Sequence, residues 1–151
     1  MNHMNIRNMM KLVQVCPHLE GLTIRPCFGR GLTDQSGYYI SRLINLKRLC
    51  IFQQVFTDKT IALLSKLPLE VIEFKDCYGV ASSGASTLMN IKTLKELQII
   101  NTIANARPCE EVLSAMILSN NKKLNKLTIK GFPTAPYTER LLQICSTAIL
   151  K

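Results

Sequence analysis

Six cysteines are the residues of this chain whose type could support disulfide, redox or metal chemistry. They are Cys16, Cys27, Cys50, Cys77, Cys109 and Cys145. Cys16 and Cys27 bracket a short apolar run in "VCPHLEGLTIRPC", which could suggest a pair. The spacings are wide and no Cys-x-x-Cys motif occurs, so the sequence favours free, mostly buried thiols. We therefore expect a reducing compartment, cytoplasmic or nuclear, with no metal site and no cofactor.

Side chains suited to acid–base catalysis are sparse. Of the two histidines, His18 lies in a "CPHL" stretch, where a solvent-facing turn residue is expected. Glu110 and Glu111 are expected to begin a helix, whose dipole favours negative charge, and Glu73 and Asp76 to flank the end of a strand. The sequence places no second catalytic group near either pair, and it contains no Gly-x-Ser-x-Gly or His-Glu-x-x-His motif. It predicts a protein that is not an enzyme.

Two short glycine-containing stretches could be mistaken for phosphate-binding loops. They are "GRG" (29–31) and "SSGAS" (82–86). Both fall between an expected strand and an expected helix, so the sequence predicts tight turns there.

The composition is that of a globular protein, because 47% of the 151 residues are hydrophobic and 19% are charged. No run of about 18 apolar residues exists and the first residues lack a signal-peptide core, so neither a membrane span nor secretion is expected. The net charge of +9 suggests nucleic acid or an acidic partner. However, the basic residues are scattered, and the densest cluster is Lys122, Lys123, Lys126 and Lys130. The sequence therefore favours solvated surface charge over a dedicated nucleic-acid site, and nucleic-acid binding is the alternative function.

An internal repeat organises the chain. The pattern apolar-x-x-apolar-x-apolar occurs five times. The copies are "LEGLTI" (19–24), "LKRLCI" (46–51), "LEVIEF" (69–74), "LKELQI" (94–99) and "LNKLTI" (124–129). Their first residues are 27, 23, 25 and 30 positions apart, a mean of about 26, which falls inside the window of leucine-rich repeats.

The spacing predicts a stack of strand–helix units. In each copy the last two apolar residues are two apart, which places both on one face of a strand. A single copy cannot bury that face, whereas stacked copies share one core and one parallel sheet. We expect an α/β leucine-rich-repeat solenoid, an open horseshoe with the sheet on its concave side and helices on its convex side. Residues 1–151 form a single domain, with strand units starting near 19, 46, 69, 94 and 124.

Apolar residues at the spacing of one helical face lie between the strand copies. Ile61, Leu64 and Leu67 are spaced for one helical face, and Thr57 and Asp58 offer oxygens that can cap its start. A second stripe covers residues 141–149.

The chain also begins with a stripe, formed by Ile6, Met9, Met10 and Val13. We expect residues 1–18 to be the helix of an incomplete repeat whose own strand is missing. Solenoids normally carry capping repeats, and no polar capping unit precedes this helix in the sequence. We therefore expect the chain to be a segment of a longer protein or a shortened paralogue.

Features of the copies resemble the cysteine-containing leucine-rich repeats of F-box proteins. Cys27 and Cys77 each come three residues after the last apolar residue of a strand copy. The stretches "LTD" (32–34) and "FTD" (56–58) match the turn of that subtype, and "CPHL" (16–19) matches its helix end, with "LPL" (67–69) a partial match. The departures are Gln54, Thr102 and Phe132 at the cysteine position, and a longer fourth unit around "IANARPCEE".

The resemblance implies a function. In that family a separate helical F-box precedes the repeats, and only 15 residues precede Cys16 here, so the chain is expected to lack the F-box. What remains is similar to the substrate-recognition half, a protein–protein interaction module in ubiquitin-dependent protein degradation. Its partner would be a protein or a degradation substrate.

Strand alternation identifies the residues of the expected concave face. Ten of them are candidates for partner binding: Arg25, Arg48, Phe52, Val71, Glu73, Lys75, Glu96, Ile100, Lys126 and Lys130. The other five are Gly21, Thr23, Cys50, Gln98 and Thr128. Five basic and two acidic residues give this face a charge of +3, and Phe52, Val71 and Ile100 are expected to be exposed apolar anchors of the kind that stabilise protein interfaces. A loop remains an alternative site for the partner.

Overall fold

The structure is a computed structural model that describes residues 6–25, 33–54, 57–77, 82–100 and 124–130. Helices and strands alternate along this part of the chain. The helices are α1 (Ile6–Val15), α2 (Asp34–Ile40), α3 (Asp58–Leu64) and α4 (Ser82–Met89). The strands are β1 (Gly21–Ile24), β2 (Arg48–Phe52), β3 (Val71–Lys75), β4 (Glu96–Ile100) and β5 (Lys126–Lys130). All five strand copies of the sequence pattern are therefore strands.

The five strands form one sheet in sequence order, and every neighbouring pair is parallel. Equivalent positions of the repeated pattern stand opposite each other. Leu49, for example, pairs with Leu22 on one side and with Ile72 on the other. The predicted α/β class with a parallel sheet is confirmed.

One hydrophobic core joins the inner face of the sheet to the helices. The buried strand residues are Leu22, Ile24, Leu49, Ile51, Ile72, Phe74 and Leu97. Leu46, Leu69 and Leu94, which begin their copies of the pattern, are completely buried. The predicted alternation of buried and outer residues is thus confirmed in β1, β2 and β3, whereas in β4 Leu97 is buried and Ile99 is half-buried. Burial of this apolar surface is the main stabilising contribution to the sheet.

Helix α3 forms where the sequence predicts it. The Thr57 side chain caps its start by accepting a hydrogen bond from the backbone N–H of Lys59, at 3.3 Å. Ile61, Leu64 and Leu67 are all buried, as their spacing predicts. The helix itself ends at Leu64, and a turn carries the chain to the next strand.

The buried face of α1 differs from the predicted stripe. Met9 is completely buried, and Leu12 and Val13 pack against the core, whereas Met10 is exposed. One residue advances the chain by about 100° around a helix, so Met10 lies at the edge of the face that Met9, Leu12 and Val13 share. Leu12 takes the place expected of Met10.

The interpretation of "SSGAS" as a tight turn is wrong. Residues 82–86 are the first part of α4, which packs beside α3. Serine and glycine favour turns in isolation, but the burial of Leu88 and Met89 further along the same helix outweighs that local preference.

Other predictions fall outside the described residues. They concern Cys27, Thr102, Cys109, Glu110, Glu111, Lys122, Lys123, Phe132, Cys145, the stretches 1–5 and 29–31, and the stripe over 141–149.

Asp34 joins the start of α2 to the start of α3. Its Oδ1 accepts hydrogen bonds from the Thr57 backbone N–H at 2.8 Å and from the Thr60 hydroxyl at 2.7 Å. Its Oδ2 accepts one from the Thr57 hydroxyl at 2.7 Å. These bonds, led by that from the Thr57 N–H, lower the pKa of Asp34. The two "TD" turns therefore have structural roles, since Thr57 caps α3 and Asp34 of the first turn bonds Thr57 of the second.

Gly37 of α2 packs against Thr60 of α3. A Cβ on this residue would lie 2.6 Å from the hydroxyl oxygen of Thr60 and 2.7 Å from its methyl carbon. Because that hydroxyl is already bonded to Asp34, the Thr60 side chain has little freedom to move away. The glycine lets the two helices pack closely.

Replacing Asp34 with alanine should lower the free energy of unfolding by about 1–3 kcal/mol, because three donors lose a charged acceptor. The pKa of Asp34 is lower in the folded state than its ordinary value of 3.8. Its stabilisation is therefore present above pH 3.8 and declines as pH falls through the lower folded pKa. Urea unfolding of both proteins between pH 7 and pH 2 measures the difference.

Asp34→Asn serves as the matched control, since the amide keeps an acceptor oxygen but loses the charge. It should cost less than Asp34→Ala at pH 7. An Asp34→Ala protein as stable as the unmodified chain at pH 7 would show that this contact does not join the units.

Candidate functional site

The strand residues that alternate with the buried ones form the outer face of the sheet, and the strand register arranges them in three rows. Row one is Gly21, Arg48, Val71, Glu96 and Lys126. Row two is Thr23, Cys50, Glu73, Gln98 and Thr128. Row three is Phe52, Lys75, Ile100 and Lys130, with Arg25 directly after β1 at its beginning. All ten predicted binding positions therefore lie on one face, although the Lys130 side chain is outside the described set.

The apolar residues of this face are less exposed than predicted. Phe52, Val71 and Ile100 are half-buried. Strand alternation alone would expose them, but side chains on neighbouring strands stand only about 5 Å away and cover part of each. Such residues can still anchor a partner, since they offer apolar surface held in place by their neighbours.

Arg25 covers part of Phe52. Its guanidinium carbon lies 5.3 Å from the centroid of the Phe52 ring, which is within the range of a cation–π contact. Beside this contact is an open cavity of about 320 Å³. It is lined by Arg25, Phe52, Gln53, Lys75 and Asp76. The cavity lies at the carboxyl ends of β1, β2 and β3, the end of a parallel sheet at which ligands commonly bind.

The floor of the cavity is shaped by two turns of the same kind. Gln53 and Asp76 each follow a strand directly and have positive φ, 51° and 52°. The backbone N–H of Gln53 donates to the carbonyl of Lys75 at 2.8 Å, and that of Asp76 donates to the carbonyl of Ile100 at 2.8 Å. Each turn thus ends its strand while its backbone N–H remains bonded to the next strand.

The sequence placed Asp76 near the end of a strand but did not predict its positive φ or its place in a cavity, and it did not single out Gln53. A signal was present for Asp76, because aspartate is among the residues that tolerate positive φ. Glutamine carries no such signal, so Gln53 could not have been found from its type.

Exposed ion pairs border the rows at the amino ends of the strands. Lys47 bonds Glu20 at 2.9 Å and Lys95 bonds Glu70 at 2.7 Å. These contacts raise the pKa of Lys47 and lower the pKa of Glu70. Within row one, Lys126 and Glu96 are 3.9 Å apart. Since all these side chains are well exposed, the pairs orient charges on the surface rather than stabilise the fold.

The three described cysteines are free thiols in different surroundings. Cys16 follows α1, and its backbone N–H bonds the carbonyl of Leu12. Cys77 packs against the core, where its thiol donates to the carbonyl of Ile51 at 3.3 Å and burial raises its pKa. Cys50 lies on the outer face, and its pKa is raised first by burial and then by the charge of Glu73. Both raised pKa values disfavour the reactive thiolate.

His18 is exposed, and its Nδ1 lies 3.2 Å from the side-chain nitrogen of Asn45. No three His, Cys, Asp or Glu side chains among the described residues are placed to hold a metal ion. No described helix is both long and apolar enough to cross a membrane.

Comparison with known proteins does not assign this chain to a family. No family model matches the sequence, and no curated protein matches it. The function is therefore inferred from the strand contacts that recur along the sheet and from the residues of its outer face.

Replacing Glu73 with glutamine should lower the pKa of Cys50, because a nearby negative charge disfavours the thiolate. The rate of Cys50 alkylation by iodoacetamide, followed by mass spectrometry across pH, should then rise at lower pH than in the unmodified protein. Glu96→Gln removes an equal charge from row one and should leave the Cys50 profile in place. If the rate of Cys50 alkylation depends on pH in the same way in Glu73→Gln and in the unmodified chain, the placement of Glu73 beside Cys50 in row two is contradicted.

Proposed function

We propose that this chain is a leucine-rich-repeat module, an open solenoid that binds a protein partner through the outer face of its sheet. The observation that carries the proposal is the alignment of equivalent outer residues into three rows across five parallel strands. Such rows make one continuous surface of charged and apolar side chains, the kind of extended surface that repeat proteins use for binding.

The repeat interpretation is supported by contacts that recur from unit to unit. Leu46, Leu69 and Leu94 are completely buried at the same position of successive copies. The backbone N–H groups of Arg48, Val71, Glu96 and Lys126 each donate to the carbonyl of the residue after the first leucine of the preceding unit. Repetition of one bonding pattern at intervals of 23 to 30 residues is what a solenoid requires.

The cysteine-containing subtype is supported by two contacts. The Cys77 thiol bonds the carbonyl of Ile51, which belongs to the preceding unit, so the cysteine has a structural role between units. Asp34 of one "TD" turn bonds the threonine of the next. On this basis the resemblance to the substrate-recognition repeats of F-box proteins extends the proposal. The partner would be a protein destined for ubiquitin-dependent degradation, in the cytoplasm or nucleus.

The distribution of charge favours a protein partner over nucleic acid. In row one, Glu96 lies between Arg48 and Lys126. On β3, Glu73 of row two is two positions from Lys75 of row three on the same face. A phosphate backbone is bound by several cations that converge on it, and here two carboxylates lie beside the cations of this face. The mixture of Arg48, Phe52 and Val71 with charged neighbours is typical of protein interfaces.

The double substitution Arg48→Glu and Phe52→Ala should abolish capture of the partner. An arginine and an aromatic side chain at the centre of an interface each commonly contribute about 2 kcal/mol or more, so affinity should fall by at least about 100-fold. Affinity capture from cell extract, quantified by mass spectrometry, identifies the proteins retained by the unmodified chain and lost by the variant.

The matched control is Arg42→Glu with Tyr38→Ala. Both residues are exposed, they lie in and just after α2, and the pair reverses one arginine charge and truncates one aromatic ring as the test variant does. It should retain the partner. If both variants retain the same proteins, or both lose them, the outer face is not the binding surface.

A further inference from the structure

We infer that row three of the outer face binds an acidic segment of the protein partner, with carboxylate side chains at Arg25 and Lys75 and an apolar side chain between them. This inference rests on the proposed protein-binding function and specifies the chemistry of the partner.

The charge of the outer face is concentrated in row three. Row one contains two basic residues and one acidic residue, and row two contains one acidic residue and no basic one, so these two rows together are neutral. Row three contains three basic residues, Arg25, Lys75 and Lys130, and no acidic residue. The whole positive charge of the face, +3, therefore lies along the carboxyl ends of the strands.

Basic and apolar residues alternate along this row. In spatial order the positions are Arg25, Phe52, Lys75, Ile100 and Lys130. Adjacent strands are about 4.8 Å apart, which puts the backbones of Arg25 and Lys75 about 10 Å apart with Phe52 between them. Two long cationic side chains at that separation can converge on one carboxylate or hold two neighbouring ones. The half-buried Phe52 and Ile100 offer apolar surface beside them.

The contact between Arg25 and Phe52 orients the arginine for this task. The ring attracts the guanidinium electrostatically, at 5.3 Å from its centroid, and so restricts its position before a ligand arrives. Arginine binds carboxylates through its planar fork of N–H donors, and such charge-assisted bonds are stronger than neutral ones. A preoriented guanidinium loses less entropy on binding.

The cavity in row three fits side chains rather than a large cofactor. Its volume of about 320 Å³ is near the lower limit for small-molecule sites. Asp76 lines the floor but is only 2% exposed. An incoming group therefore contacts mainly Arg25, Phe52, Gln53 and Lys75. With two cations and the carboxylate of Asp76, the lining has a formal charge of +1.

Fluorescein-labelled peptides test the inference directly by fluorescence anisotropy on the intact chain. The probe has the sequence GSEELEEGS, and its comparison peptides replace the glutamates with glutamine (GSQQLQQGS) or the leucine with glycine (GSEEGEEGS). The acidic peptide should bind at least about tenfold more tightly than the amide peptide, the difference that one charge-assisted contact supplies. Replacing its leucine with glycine should also weaken binding.

Substitutions in the protein locate the site. Lys75→Glu should weaken binding of GSEELEEGS by at least about tenfold, and Arg25→Ala should weaken it as well. Lys66→Glu is the matched control, because Lys66 is exposed, follows α3 and makes the same change of charge away from the outer face. It should change the affinity by less than about twofold. Lys75→Gln, a milder change, repeats the test if Lys75→Glu fails to fold by circular dichroism.

Four outcomes would overturn the inference. They are equal binding of the acidic and amide peptides, binding that Lys75→Glu and Lys75→Gln leave unchanged, no binding of GSEELEEGS up to about 1 mM, and displacement of that peptide by an oligouridine RNA at lower concentration. If the outer-face variant Arg48→Glu with Phe52→Ala still loses its captured partner while one of these outcomes is observed, the proposed protein-binding function stands and only its acidic preference fails.

Discussion

The structure depends on one constraint, which is that the first leucine of each unit can be buried only by its neighbours. Leu46, Leu69 and Leu94 are each 0% exposed, and no single strand–helix unit could achieve this. Their alignment sets the register of the parallel sheet. Because a shift of one residue would exchange the two faces of a strand, the same burial determines which side chains point outward. The outer rows are therefore a consequence of core packing.

Polar contacts between units add hydrogen bonds to the packing of the buried leucines. Asp34 bonds Thr57, 23 residues away, and Thr93 donates to the backbone carbonyl of Leu69 at 2.8 Å. The Cys77 thiol donates to the carbonyl of Ile51. Each bond joins residues that are 23 to 26 positions apart in the chain. Cys77, one of the cysteines that looked reactive in the sequence, thus has a structural role between neighbouring strands.

The sequence predicted the strands well because their signal is local. The apolar residues two apart in each copy, such as Leu49 and Ile51, are buried as expected. It failed where tertiary packing outweighs local preference, as in residues 82–86, which are helical despite their glycine and serines. At the candidate site, the row positions could be predicted from alternation. The cation–π contact between Arg25 and Phe52 and the positive φ of Gln53 could not be predicted, because both depend on neighbouring strands.

Site-specific photo-crosslinking measures most directly whether the outer face is where the partner binds. A benzophenone amino acid at position 71, at the centre of row one, should form covalent adducts with a partner protein in cells. The same group at position 62, which is exposed on α3, should form none. Adducts at position 62 with none at position 71 would contradict binding through the sheet.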